Sequence, residues 1–203
     1  SKAKGELAWG NPIVEGENIH LDVVAGQTSG AAPESPKSGR GTFVCLKCAA
    51  TLDENYLREQ GQAGRLGLRM TAAVIERGGK RSYRAVTPAD TAAPQSIAVD
   101  RSFAAVPIVK WRSVNVPDYV FDTWDKLYTE RQLLTLATFA DLIGENRNEI
   151  MDEGSTREWA DAVTTLLALF LGKLAQHQSS QVRWWFPPAA RSKAVSAFDR
   201  NDL

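Results

Sequence analysis

The 203 residues are 43% hydrophobic and 24% charged, which excludes a wholly disordered chain, reads as globular and fits one good-sized domain or two small ones. Lys plus Arg and Asp plus Glu are equal at 24 each, so no overall positive field marks the chain as a nucleic-acid binder. Two cysteines are too few for a disulfide-built secreted scaffold and point to a reducing, cytoplasmic setting.

At the N-terminus, Ser1 to Lys4 carries no start methionine and no signal-peptide pattern, and reads as an internal point of a longer protein. Ile19-His20-Leu21-Asp22-Val23 alternates apolar and polar residues, which predicts a half-buried strand. Residues 26 to 41 are rich in Gly, Ser, Ala and Pro without periodicity, and are expected to be a flexible loop. Thr42-Phe43-Val44 predicts a short strand leading into Cys45 and Cys48, three positions apart. Two thiolates at that spacing can reach one tetrahedral ion from a single turn, which makes them half of a zinc knuckle. Asp53 to Gln60 predicts a short helix stopped by Gly61. Two strand-like runs follow, Leu68 to Glu76 and Arg81 to Val86, with Gly78-Gly79 between them for a hairpin turn.

Past residue 86 the pattern turns helical. Thr87-Pro88 predicts a helix start, and Pro94 keeps that helix short. Residues 105 to 120 read as a connector. Thr129-Glu130-Arg131-Gln132 has the capping-box pattern, and Leu133, Leu136, Ala137, Ala140 and Ile143 recur behind it at helical spacing. Ser155-Thr156-Arg157-Glu158 repeats the pattern before a broad apolar face running from Val163 to Leu174. The short link near Gly154 predicts an antiparallel helical hairpin. The run LLALFL, 166 to 171, is far shorter than the about 20 residues of a membrane span and predicts a buried core helix. Residues 187 to 203 start Pro-Pro and predict a last helical stretch. The fold class expected is α+β, with a β-rich region at 1–86 holding an incomplete zinc-ribbon-like knuckle and a helical region at 87–203.

Charge is sorted along the chain. Residues 58–84 hold seven bases against Glu59 and Glu76, net +5; residues 118–161 hold eleven acids against four bases, net −7; residues 173–200 hold five bases against Asp199, net +4. One reading is solvated helix and hairpin faces. The other is a phosphate-facing surface, with Arg65, Lys80, Arg81, Arg84, Arg183, Arg191 and Lys193 as contacts. In GQAGRLG, the glycines at 61, 64 and 67 suit a turn between helix and strand, or a close approach to phosphate beside Arg65. Trp184-Trp185-Phe186 suits base stacking or packing at a helix exit. His20 lies on the polar face of its strand and His177 at a helix C-terminus, where its partial positive charge suits the helix dipole. No acid/base pair, nucleophile elbow or cofactor loop is recognisable, so the chain by itself reads as non-catalytic.

Three blocks in order carry a family resemblance. CLKCAATLDENYLREQGQAGRLGLRMTAAVIERGGKRSYRAVTPAD resembles the zinc-ribbon segment of large bacterial adenine-specific DNA methyltransferases. There a Cys-Pro-x-Cys-Gly knuckle is followed by Tyr-Ile-Arg/Lys, a Gly-x-Ala-Gly-Arg-Leu/Met-Gly turn and a strand pair ending in Tyr-Arg. VPDYVFDTWDKLYTERQLLTLATFADLI and WADAVTTLLALFLGKLAQHQSSQVRW resemble the two blocks that follow. Leu46 and Ala49 stand where the family knuckle has Pro and Gly. Val116-Pro117-Asp118-Tyr119 is not the catalytic Asp-Pro-Pro-Tyr loop, lacking its leading Asp/Asn and second proline.

The resemblance implies a zinc site completed by a second cysteine pair upstream of Ser1. It also implies S-adenosylmethionine and catalytic loops on either side of this segment. The segment then serves target recognition or scaffolding in an enzyme that methylates adenine in DNA after flipping the base. No membrane partner is implied. The rival reading is a structural or protein-interaction module that uses the acidic helices at 118–161.

Overall fold

A computed structural model describes residues 2–3, 6–27, 31–95, 98–110, 115–185 and 193–195. The class is α+β, as expected: among the described residues there are small antiparallel sheets and four α-helices. The chain divides into two units. The first is Ser1–Gln95, Val109–Asp122 and Phe186–Lys193; the second is Ser96–Ile108, Thr123–Trp185 and Ala194–Leu203.

The first unit opens with strand β1 (Lys2–Ala3) and a long hairpin of β2 (Glu6–Glu15) and β3 (Asn18–Gln27), with Glu15 paired to Asn18. Only the β3 half shows a strand pattern in sequence. Gly10 and Pro12 mask β2, yet both fit it. A Cβ on Gly10 would come 2.9 Å from Leu21 Cδ2, and among the described residues no second strand pairs with β2 at Pro12. Strand β4 (Lys37–Gly39) falls inside the stretch expected to be loop. It pairs with β5 (Thr42–Val44), which pairs with β6 (Thr51–Leu52).

Helix α1 (Glu54–Gln62) follows, its amide at Tyr56 donating to the Asp53 carboxylate at 2.8 Å. Gly61 does not stop this helix. It is buried within it, because a Cβ there would meet the Tyr119 backbone at 2.7 Å. The stop is Gly64, at φ +68, where Gly64 N–H donates to Gly61 O and Arg65 N–H to Gln60 O, a Schellman ending. Strands β7 (Ala73–Arg77) and β8 (Lys80–Arg84) form a hairpin, shorter at its start than the sequence pattern suggests. Gly78 and Gly79 both have positive φ (55° and 72°), as a type I′ turn requires. Helix α2 (Pro88–Gln95) ends this part.

The second unit is built round helices α3 (Glu130–Asp152) and α4 (Arg157–Gln178). Both arms of the Thr129 capping box are formed, the Gln132 side chain accepting from Thr129 N–H at 2.9 Å. At α4 the cap is Thr156, one residue later than the pattern suggests, and it accepts from Trp159 N–H at 3.2 Å. The helices run antiparallel, pinned by Arg147 to Asp161 at 2.6 Å. Among the described residues Leu127 and Leu133 are the largest fully buried side chains, and Ser180 N–H donates to Leu127 O at 2.7 Å. The expectation of a buried LLALFL helix fails: Leu166, Leu169 and Phe170 are 68%, 67% and 71% exposed. A continuous apolar run wraps all round a helix, and α3 covers one side of it. Strands β9 (Arg183–Trp185) and β10 (Lys193–Val195) pair. Residues 193–195 are thus strand where helix was expected; the remainder of 187–203 lies outside the described residues. Among the described residues no helix is long and apolar enough to cross a membrane.

Candidate functional site

The cysteine turn is fixed by the strands that flank it. Val44 pairs with Thr51, so residues 45–50 must reverse the chain within one hairpin loop. Cys45 N–H donates to Ala50 O and Ala49 N–H to Cys45 O, both at 2.9 Å. Ala49 takes φ +58, the single non-glycine at positive φ among the described residues. An L-residue held there costs about 1 kcal/mol, which glycine at this position would avoid. The alanine adopts the left-handed conformation all the same.

That turn aims backbone amides at sulfur. The N–H groups of Cys48 and Lys47 point to Cys45 Sγ and, with the Cys48 thiol and the Lys47 charge, hold the Cys45 thiol below its ordinary value; burial acts weakly the other way. Cys45 is half-buried and Cys48 exposed, and both are free thiols. Lys47 is paired with Glu17. The shift is in the direction of the thiolate, the form that ligates metal. The turn supplies two of the four donors zinc takes. Among the described residues no group of three or more His, Cys, Asp or Glu is placed to hold a metal.

Behind the knuckle, α1 presents a polar hub. Arg58 donates to Glu54 Oε1 at 2.7 Å and lies 5.9 Å from the centre of the Tyr119 ring. Tyr119 O–H donates to the same Glu54 oxygen at 3.0 Å, and Lys110 pairs with Asp118 at 2.7 Å. Gln62 Nε2 donates to Asp118 O at 3.3 Å. Asp118 and Tyr119 therefore clamp this loop to α1, a structural use.

No family model, no curated protein and no solved structure matches the chain. The likeness to the methyltransferases rests on the motifs themselves.

The predicted phosphate contacts fall into separate settings. Arg65 is exposed, its Nε donating to Gln60 Oε1 at 2.7 Å. Lys80 is exposed at the hairpin tip. Arg81 pairs across the hairpin with Glu76 at 3.1 Å. Arg84 makes a two-pronged bond to Asp90, at 2.6 and 2.8 Å. The Arg84 guanidinium, then the Thr87 hydroxyl and amide, hold the Asp90 carboxyl well below the usual range. Arg183 is exposed on β9, in the second unit. Arg191 and the Lys193 side chain lie outside the described residues, as do Phe186 and the side chains of Trp184 and Trp185.

The register adds one residue that the charge blocks alone do not single out. Arg77 is the direct cross-strand partner of Lys80, and both are exposed. Like charges directly opposite destabilise a hairpin, and an anion bound between them removes that cost. The signal in sequence is Arg-Gly-Gly-Lys, a turn dipeptide flanked by two cations. His20 lines an open groove with Asp22 and Arg69, and His177 is exposed in the last turn of α4.

Proposed function

We propose that the chain is a non-catalytic segment of a bacterial, cytoplasmic, S-adenosylmethionine-dependent adenine-specific DNA methyltransferase, serving target recognition or scaffolding. The knuckle supports this reading most: a Cys-x-x-Cys turn with left-handed Ala49 holds two sulfurs in one tight hairpin loop, the spacing that one tetrahedral ion can use. Cys45 and Cys48 would hold one side of a zinc ion, which when bound supplies a rigid cross-link; the other two donors come from outside the described residues. On this reading S-adenosylmethionine binding and methyl transfer belong to other parts of the parent enzyme.

Phosphate contact begins at the β7–β8 tip, where Lys80 faces Arg77, with Arg65 and Arg183 as further exposed cations. Arg81 and Arg84 engage Glu76 and Asp90 and so shape the hairpin and the start of α2. The test is duplex binding by fluorescence anisotropy from 50 to 200 mM salt. Affinity is expected to fall with a steep log–log slope, and Arg77→Ala with Lys80→Ala to flatten that slope by about 2. Failure to bind duplex at low salt, or an unchanged slope in the double variant, rejects DNA contact at this tip.

A second reading has an observation of its own. The helices of the acidic 118–161 block carry a wide exposed apolar face, which suits a protein-interaction module. Absence of duplex binding at low salt favours it.

A further inference from the structure

Helices α3 and α4 leave open an apolar face that is contiguous by their register. Arg147 on Asp161 sets the antiparallel alignment, which places Leu142 level with Leu166 and Phe139 level with Leu169 and Phe170. Helical spacing turns all five to one side of the hairpin, with Trp159 at its end. Phe139 and Leu142 are 47% and 49% exposed, Trp159 61%, and the three α4 residues more still. Together they leave roughly 700 Å² of apolar side chain in water, above the ~300–600 Å² of the largest patch on an ordinary monomer and close to the ~800 Å² each partner buries in a standard interface.

We infer that this face is the contact between two copies of the chain, closing two hairpins into a four-helix bundle. The sequence of α4 is self-complementary about Leu166. Trp159, Ala162, Leu166, Leu169 and Lys173 follow three-and-four spacing, the seam of an antiparallel helix pair. A two-fold axis through Leu166 sets Leu166 on its own copy and small Ala162 opposite large Phe170. It also sets Lys173 over the Trp159 ring of the partner copy, a cation–π pairing. Because Leu142 is level with Leu166, the same axis sets Leu142 on its copy. The acids of α3 do not meet one another: Glu145 comes opposite Phe139 and Glu149 opposite Thr135. One patch that matches itself is the requirement of an isologous dimer. This inference is independent of the proposed function.

The experiment is sedimentation equilibrium on the whole chain up to about 100 μM, repeated with Leu166→Glu, and circular dichroism on both. The expected result is a two-chain mass that falls to one-chain mass in the variant, with helicity retained. A one-chain mass for the unsubstituted protein overturns the inference, as does a two-chain mass that survives L166E. Should L166E lose helicity, Leu166→Cys decides instead. Oxidation is expected to join position 166 to position 166 of the second copy, identified by peptide mass mapping. Absence of that cross-link overturns the two-fold arrangement.

Discussion

In the first unit the closest packing is backbone on backbone, Gly61 against Tyr119, sewn by hydrogen bonds from Arg58 and Tyr119 to Glu54 and from Gln62 to Asp118 O; in the second it is apolar side chains, Leu127 and Leu133. Among the described residues Ala8 is the one buried hydrophobic residue of the first unit. The second holds the others and also the widest open apolar face. A region held by specific hydrogen bonds and turns has its groups already aimed, as the knuckle amides are at Cys45. A region held by apolar contact is unfinished where the contact stops, as at Leu166 and Phe170. On the readings proposed above, the first would hold a metal ion or a phosphate and the second a protein surface.

Substitutions break this contrast in graded ways. Leu133→Ala empties a fully buried site and is expected to cost the second unit about 2–5 kcal/mol, read by urea unfolding. Gly61→Ala is expected to cost the first unit about 1–3 kcal/mol, since its Cβ meets backbone that cannot swing aside. Thr129→Ala removes one arm of the α3 capping box at about 1 kcal/mol. Ala49→Gly is expected to stabilise the knuckle by up to about 1 kcal/mol, because glycine takes positive φ without strain. The smallest effect is a pH dependence. Asp90 has its carboxyl lowered in the folded state, so its contribution is complete above the ordinary Asp range and is lost as pH falls toward the folded value. Urea midpoints between pH 5 and pH 2 should fall less steeply for Asp90→Asn than for the unsubstituted chain.

How much was legible in sequence follows the same division. Short-range signals read true: the strand at 42–44, the Gly78-Gly79 turn and the Thr129 cap each depend on a few adjacent residues. Gly61 reads in sequence as a helix stop because its reason is Tyr119, far along the chain. Strand β2 was hidden because its glycine and proline suit an open-edged strand, which only pairing reveals. The LLALFL run announced burial, but sequence does not say what covers a helix; hydrophobicity records the need for a partner layer without supplying it. At the candidate site the cysteine spacing was plain, whereas the opposition of Arg77 and Lys80 needed the hairpin register.

The most direct measurement is residue-resolved amide hydrogen exchange at low and high protein concentration. Exchange through residues 159–173 should slow as concentration rises, while the knuckle and α1 amides stay unchanged. Equal protection of 159–173 at both concentrations, with one-chain mass throughout, would contradict the picture of a preset first unit and a second unit completed by its own copy.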